Sequence, residues 1–177
     1  MKLVILDRDG TINHDSDDYI KSPAEWRPIK GSLEAIARLT QAGYRVVVAT
    51  NQSGIARGLF TTQTLFAIHD TVQRALGQIG GRIDAFFFCP HAADSRCECR
   101  KPQPGMLLEV GRRFNVSLKD AFMVGDSRKD LEAAAAAGAR PVLVLTGKGR
   151  KTRDEGNLPP GTQVFADLAA FAEQLAP

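Results

Sequence analysis

Five short apolar runs, each ending in polar or glycine-rich residues and each followed by a helical pattern, set the strongest limit on how this chain can fold. They are Leu3–Leu6, Arg45–Ala49, Ala85–Phe88, Ala121–Val124 and Val142–Leu145. Apolar strands without polar alternation have to be covered on both faces, and strands joined through helices pair in parallel. The sequence therefore predicts an α/β fold, a doubly wound (Rossmann-like) parallel sheet with helices on both faces.

The helices carry their own start and stop signals. Ser32 is placed to cap a helix that Gly43 stops. Thr61 is placed to cap a second, in which Leu65, Ile68, Val72, Leu76 and Ile79 recur at helical spacing before Gly80 and Gly81. A third is expected from about Pro104 to Phe114, and a fourth from Arg128 to Ala137 before Gly138. The alanine run of that fourth helix permits close approach to a sheet. A last helix spans Leu168 to Leu175, whereas Thr146 to Gly161 reads as a surface loop. Asn13 to Lys30 is the longest connection without periodicity, which marks it as a functional loop.

Charge and composition narrow the function. A chain of 177 residues fits one domain, 1–177, and its net charge of +3 is not gathered into an arm or stripe of the kind that binds nucleic acid. No apolar run approaches the roughly 20 residues of a membrane helix, and no signal-peptide pattern opens the chain. The expectation is a cytoplasmic monomer acting on a small anionic ligand, with neither nucleic acid nor membrane as partner.

Ligands of open parallel sheets bind beyond the carboxyl ends of the strands. Collected there are Asp7 and Asp9 from the first strand, and Thr50, Asn51, Gln52 and Ser53 from the second. Arg100 and Lys101 follow the third, and Gly125, Asp126 and Asp130 the fourth. Three carboxylates with no basic partner among them call for a hard divalent cation, and Mg²⁺ accepts a few carboxylates together with a phosphate. A metal-held carboxylate stays ionised and can attack phosphorus, while Lys101 and Thr50 neutralise and hydrogen-bond the phosphoryl oxygens. Asp7 is then the nucleophile, and Asp9 the acid that protonates the leaving alkoxide and the base that activates water. The one-residue spacing lets both side chains address one phosphate, and Gly10 permits the turn that follows.

All three cysteines fall between residues 89 and 99, an odd number that argues against a disulfide framework. Cys89, His91, Cys97 and Cys99 make a complete tetrahedral shell for structural Zn²⁺, stapling the loop before Arg100 and Lys101. The alternative is a group of buried or reactive free thiols. His14 and His69 read as ordinary exposed residues.

The segments "DRDGT", "VVVATNQSG", "RKPQPGM" and "VGDSRKD" resemble, in this order, the four motifs of the haloacid dehalogenase superfamily of phosphotransferases. The resemblance implies Mg²⁺ held by Asp7, Asp126 and the backbone carbonyl of Asp9. Asp130 is left with two roles, support of the metal through water or a favourable negative charge early in a helix. The gaps between motifs leave no room for a cap domain, so substrate choice falls to Asn13–Lys30, the "NQSGIARG" loop and the cysteine loop. Two capless families are similar here, the heptose 1,7-bisphosphate 7-phosphatases of lipopolysaccharide-precursor synthesis and the histidinol-phosphate phosphatases. The resemblance to the former is the stronger and implies a phosphorylated sugar substrate. It points to Arg100 and the stretch Asp15 to Tyr19, Asp18 included, for recognition, with Arg57, Arg100 and Lys101 available to a second phosphate. A receiver domain, in which phosphorylation is a switch without turnover, lacks an acid placed as Asp9 is; a zinc-stapled binding protein leaves the three carboxylates unexplained.

Overall fold

Alternation along the first strand decides the layers: Leu3 and Ile5 pack to one side, Val4 and Leu6 to the other, and all four are buried. The computed structural model describes residues 1–177. In chain order its elements are β1 (Leu3–Leu6), α1 (Ser32–Gln41), β2 (Arg45–Asn51), α2 (Thr62–Gly77), β3 (Ala85–Cys89), α3 (Gly105–Phe114), β4 (Phe122–Gly125), α4 (Arg128–Ala137), β5 (Arg140–Val144), α5 (Gly149–Asp154), β6 (Gln163–Phe165) and α6 (Leu168–Leu175). Short 3₁₀ turns occupy Pro23–Glu25 and Leu118–Asp120.

The six strands form one parallel sheet in the order β3-β2-β1-β4-β5-β6. Ile36, Leu39, Ile68, Val72, Leu76 and Phe171 cover one face from α1, α2 and α6. Met106, Leu107, Val110, Ala133 and Ala134 cover the other from α3 and α4, so the alanine run does bring α4 close to the strands. The direction of winding reverses between β1 and β4, which opens a crevice at their carboxyl ends. Leu6 is in register with Val124, and the Asp7 amide donates to the Val124 carbonyl at 2.8 Å. That register brings the residues following both strands to the same level.

Several local expectations are corrected. Ser32 does not cap α1: Gly31 holds the cap position with φ 83°, and the buried Ser32 hydroxyl donates toward the carbonyls of Ile12 (2.6 Å) and Ile29 (2.7 Å). Thr61 does cap α2, accepting from the Thr64 amide at 3.1 Å. That helix ends at Gly77, so Ile79 lies beyond it and is exposed. His69 is buried on the inner face of α2, its ring stacked on Phe86; its helical spacing, one residue from Ile68, allows this. His14 is exposed as expected.

The stretch Thr146–Gly161 is not simply a loop. It forms α5, which seats Gly149 against the Val144 carbonyl where a Cβ would collide, and buries Thr152, whose hydroxyl donates to the Asp126 carbonyl at 2.9 Å. It leads into β6, a short edge strand with two exposed residues and hence little apolar signal. The strand ends also shift by a residue or two, β2 continuing through Thr50 and Asn51.

Burial predicts a sharp contrast between two neighbours on α3. Leu107→Ala, at a fully buried position, should lower unfolding free energy in urea by about 2–5 kcal/mol. Leu108→Ala, at a 51% exposed position, should stay within about 0.5 kcal/mol of the parent.

Candidate active site

The crevice at the β1/β4 switch is a polar cleft of about 320 Å³. Among its walls are Asp7, Asp9, Thr50, Asn51, Gln52, Ser53, Arg100, Lys101, Asp126 and Asp130, so the strand-end set read from the sequence converges. Asp15 and Tyr19 reach it from the long Asn13–Lys30 connection. Asp18 and Arg57 do not line it; the Arg57 guanidinium instead lies 5.8 Å from the centre of the Tyr19 ring. Ser16 and Asp17, inside the Asp15–Tyr19 stretch expected to recognise substrate, line the cleft as well, and Ser127, Lys129 and Lys148 do so without having been singled out in the sequence.

Lys101 is the buried cation of the site, 2% exposed. Its Nζ donates to Asp7 Oδ1 (2.9 Å), Asp130 Oδ1 (2.6 Å) and the Ala49 carbonyl (2.7 Å). Burial alone would favour loss of its proton, but the charges of Asp130 and Asp7 more than offset that and hold the ammonium above its usual range. The Asn51 amide pins the Lys101 backbone by donating to its carbonyl and accepting from its N–H, both at 3.0 Å.

Asp130 spends both oxygens inside the protein. Oδ1 takes Lys101, and Oδ2 takes the Ser127 amide (3.0 Å) and hydroxyl (2.8 Å) in a capping box at the start of α4. Of the two roles left open by the sequence, the structure thus favours the helix start, with partnership to Lys101 added. Gly125 has no room for a Cβ because the Asp130 side chain occupies that space.

Asp9 is held apart from the other carboxylates. Its Oδ1 accepts from Arg8 Nε (3.0 Å), Arg8 Nη2 (2.9 Å) and Asn13 Nδ2 (2.9 Å), while Oδ2 accepts from Gln52 Nε2 (3.1 Å). Burial would push this carboxyl up, but Arg8, with the hydrogen bonds from Asn13, Arg8 and Gln52, holds it below the usual carboxylate range. The acids were therefore not without a basic partner: Arg8, between them in the sequence, is one, and Lys101 is the other. Thr50 is buried, and its hydroxyl accepts from Gln52 Nε2 at 2.9 Å, which leaves its proton free to donate.

Asp7, Asp126 and Asp130 place one carboxylate oxygen each within 4.8 Å of one another. Desolvation, with repulsion from Asp130 next, raises Asp7 well above the usual range and Asp126 to about 7. Oδ2 of Asp126 accepts from the Lys148 amide at 2.7 Å, and Gly10, at φ 84°, sits where a Cβ would strike that carboxylate. Two crowded carboxyls that resist ionisation are a donor set suited to a hard divalent cation. The Asp9 side chain is outside this group, so only its backbone remains available to such an ion.

A second cluster lies beyond β3. Cys89, His91, Cys97 and Cys99 converge with ligand atoms within 4.8 Å of one another. Nδ1 of His91 is 3.4 Å from Cys89 Sγ and 3.3 Å from Cys99 Sγ, and the Cys89–Cys97 sulfur separation is 3.7 Å. Four ligands at about 2.3 Å from a common centre would be separated by about 3.8 Å, so the spacing suits a tetrahedral ion. Burial pushes the Cys89 thiol up to about 12, so a cation here displaces a proton. The loop lies against the cleft, with Arg100 Nη1 donating to the His91 carbonyl at 3.4 Å.

Comparison with known proteins agrees with the fold. A family model described as HAD-hydrolase-like matches residues 98–171. The chain is 62% identical over 175 residues to a D-glycero-beta-D-manno-heptose-1,7-bisphosphate 7-phosphatase of Bordetella bronchiseptica, covering 99% of this chain and 98% of the relative. To the enzyme of the same name from Pseudomonas putida it is 53% identical, with 99% of each covered. A crystal structure of the B. bronchiseptica D,D-heptose 1,7-bisphosphate phosphatase with magnesium and phosphate superposes with a TM-score of 0.97, covering 99% and 98% of the two chains at 62% identity. One from Burkholderia thailandensis gives 0.79 at 52% identity, with 99% and 98% covered.

Removing Asp130 tests the buried pair. Asp130→Asn should lower unfolding free energy in urea by about 3–5 kcal/mol, because the Lys101 charge loses one of its two anionic partners. A loss confined to the few tenths of a kcal/mol of an exposed site would contradict this placement.

Proposed function

The chain belongs to the D-glycero-beta-D-manno-heptose-1,7-bisphosphate 7-phosphatase family of HAD-like hydrolases, and from that premise we propose that it removes the 7-phosphate of this bisphosphate, leaving heptose 1-phosphate. The observation that carries the reading is the placement of Asp7 beside the Lys101 ammonium with Asp9 held separately across the same cleft.

Asp7 attacks phosphorus through Oδ2 and forms an aspartyl-phosphate as the ester bond to the sugar oxygen breaks. Lys101 and the free proton of the Thr50 hydroxyl meet the negative oxygens of the transferring group. Asp9 gives its proton to the departing sugar oxygen, then takes one from the water that cleaves the aspartyl-phosphate. A dianionic phosphate arriving beside Asp9 opposes the pull of Arg8 and favours the protonated form needed first. Asp7, Asp126 and the Asp9 backbone carbonyl would hold Mg²⁺, which when bound supplies positive charge that keeps Asp7 ionised and neutralises the phosphate.

Asp15 and Asp17 line the cleft from the long connection and Arg100 and Lys129 from elsewhere, while Lys148 Nζ pairs with Asp15 Oδ2 at 3.3 Å. The carboxylates suit sugar hydroxyls, and the cations suit the phosphate that is retained. Asn51 and Gln52 act here chiefly on the protein itself, through Lys101, Thr50 and Asp9. Arg57 contributes by fixing Tyr19 at the rim. The proposal includes structural Zn²⁺ on Cys89, His91, Cys97 and Cys99, a single capless unit over 1–177, and a monomer in the cytoplasm. No helix is long and apolar enough to cross a membrane.

Phosphate release with Mg²⁺ from heptose 1,7-bisphosphate and histidinol phosphate, with Asp7→Asn as the blank, tests the assignment. The expected outcome is a kcat/KM at least 100-fold higher for the bisphosphate and activity in the blank reduced by about 10⁴-fold or more. Preference for histidinol phosphate would overturn the substrate.

The zinc reading has its own check. Elemental analysis should find one zinc per chain, and its removal by a strong chelator should lower the Tm and the activity together. Retention of both after complete removal would end the idea that the metal braces Arg100 and Lys101.

A further inference from the structure

Arg8 is fully buried, yet its side chain is the one that lies between the two reacting carboxylates in sequence. Its guanidinium turns back on Asp9 through Nε and Nη2, both to Oδ1, and its Nη1 donates to Nε2 of His69 at 3.4 Å. His69 in turn lies flat on Phe86, ring centres 4.1 Å apart and planes 12° from parallel. That stack joins α2 to the edge strand β3 and gives the guanidinium a fixed seat. Asn13 Nδ2 adds a third donor to the same oxygen, and the Arg8 carbonyl accepts from the amides of Thr11 (3.2 Å), Ile12 (2.8 Å) and Asn13 (3.3 Å). Three donors occupy Oδ1, so Oδ2, which meets only Gln52, is the oxygen available to exchange a proton.

We propose that Arg8, seated on His69 and Phe86, is a positioning residue for proton transfer: it locks Oδ1 of Asp9 so that Oδ2 faces the leaving oxygen and, later, the attacking water. This rests on the reading of Asp9 as acid and base given above. Arg8 touches no reacting atom. A buried guanidinium with one carboxylate partner holds that partner in place, because a swing of the Asp9 side chain out of this position leaves the cation unpaired. The two guanidinium donors converge on the single atom Oδ1 from a rigid planar group, which holds that oxygen more closely than one freely rotating ammonium could.

The test compares leaving groups. Arg8→Met should lower kcat on the heptose bisphosphate by about 100-fold, with KM within about threefold, since an alkoxide needs the proton. With 4-nitrophenyl phosphate, whose leaving group needs none, the first-turnover burst of nitrophenolate should stay within a few-fold of the parent while steady-state turnover falls. Asp9→Asn should show the same pattern, and the double variant should be no slower than Asp9→Asn alone. Losses that multiply in the double variant, or a burst slowed as much as heptose turnover, would overturn the inference. If Arg8→Met does not fold, judged by its thermal melt, Arg8→Lys keeps the charge but loses the second donor. It should show the same leaving-group contrast at about tenfold, and an equal loss on both esters would again overturn the inference. A parent protein without Asp7-dependent phosphate release would instead remove the functional reading itself.

Discussion

The contact on which the rest of the structure depends is the buried Lys101 ammonium. It gathers Asp7 from the end of β1, Asp130 from the first turn of α4 and the Ala49 carbonyl from β2. Three elements on two sides of the winding reversal are thereby tied at one point. A charge buried this deeply is held only because anions surround it, and the anions stay crowded only because it is there. Such an arrangement adds little net stability over an apolar core of equal volume, but it admits one geometry. That geometry points Asp7 into the cleft, with Ser127 behind Asp130 and Asn51 behind the Lys101 backbone completing the support.

Much of this was legible in the chain. The apolar runs with polar ends specify a parallel sheet, and the end of each run specifies what stands on its rim; Asp7, Thr50, Lys101 and Asp126 needed no more than that rule to be brought together. The cysteine and histidine spacing likewise announced its cluster before any coordinates did. In these places local pattern and tertiary placement agree, because strand ends and tight loops leave side chains little choice of direction.

Where the reading fell short, the deciding contact was distant in sequence. Asp130 carried two meanings until Lys101 was placed beside it. Arg8 was not counted as a basic partner of the carboxylates: strand alternation sends it away from Asp7 and Asp9, and only a guanidinium long enough to fold back, with His69 to receive it, makes it one. His69 itself looked exposed because one polar residue on a helix is normally solvated; the flat face of Phe86 on β3 is what buries it. α5 carries basic residues and glycines that read as solvated loop, and it forms because Thr152 and Gly149 find the backbone of Asp126 and Val144.

The cysteine loop gives the site an exposure to oxidants that its chemistry does not suggest. None of its sulfurs lines the cleft, yet Cys89 and Cys99 lie with their sulfurs 3.2 Å apart, and Cys99 stands two residues before Lys101. Oxidative pairing of two of these thiols would constrain the chain leading into Lys101, the residue that balances the charge of Asp7. A cleft lined by a lysine and carboxylates is thus joined to the thiol chemistry of its surroundings, through a loop whose sulfurs lie outside it.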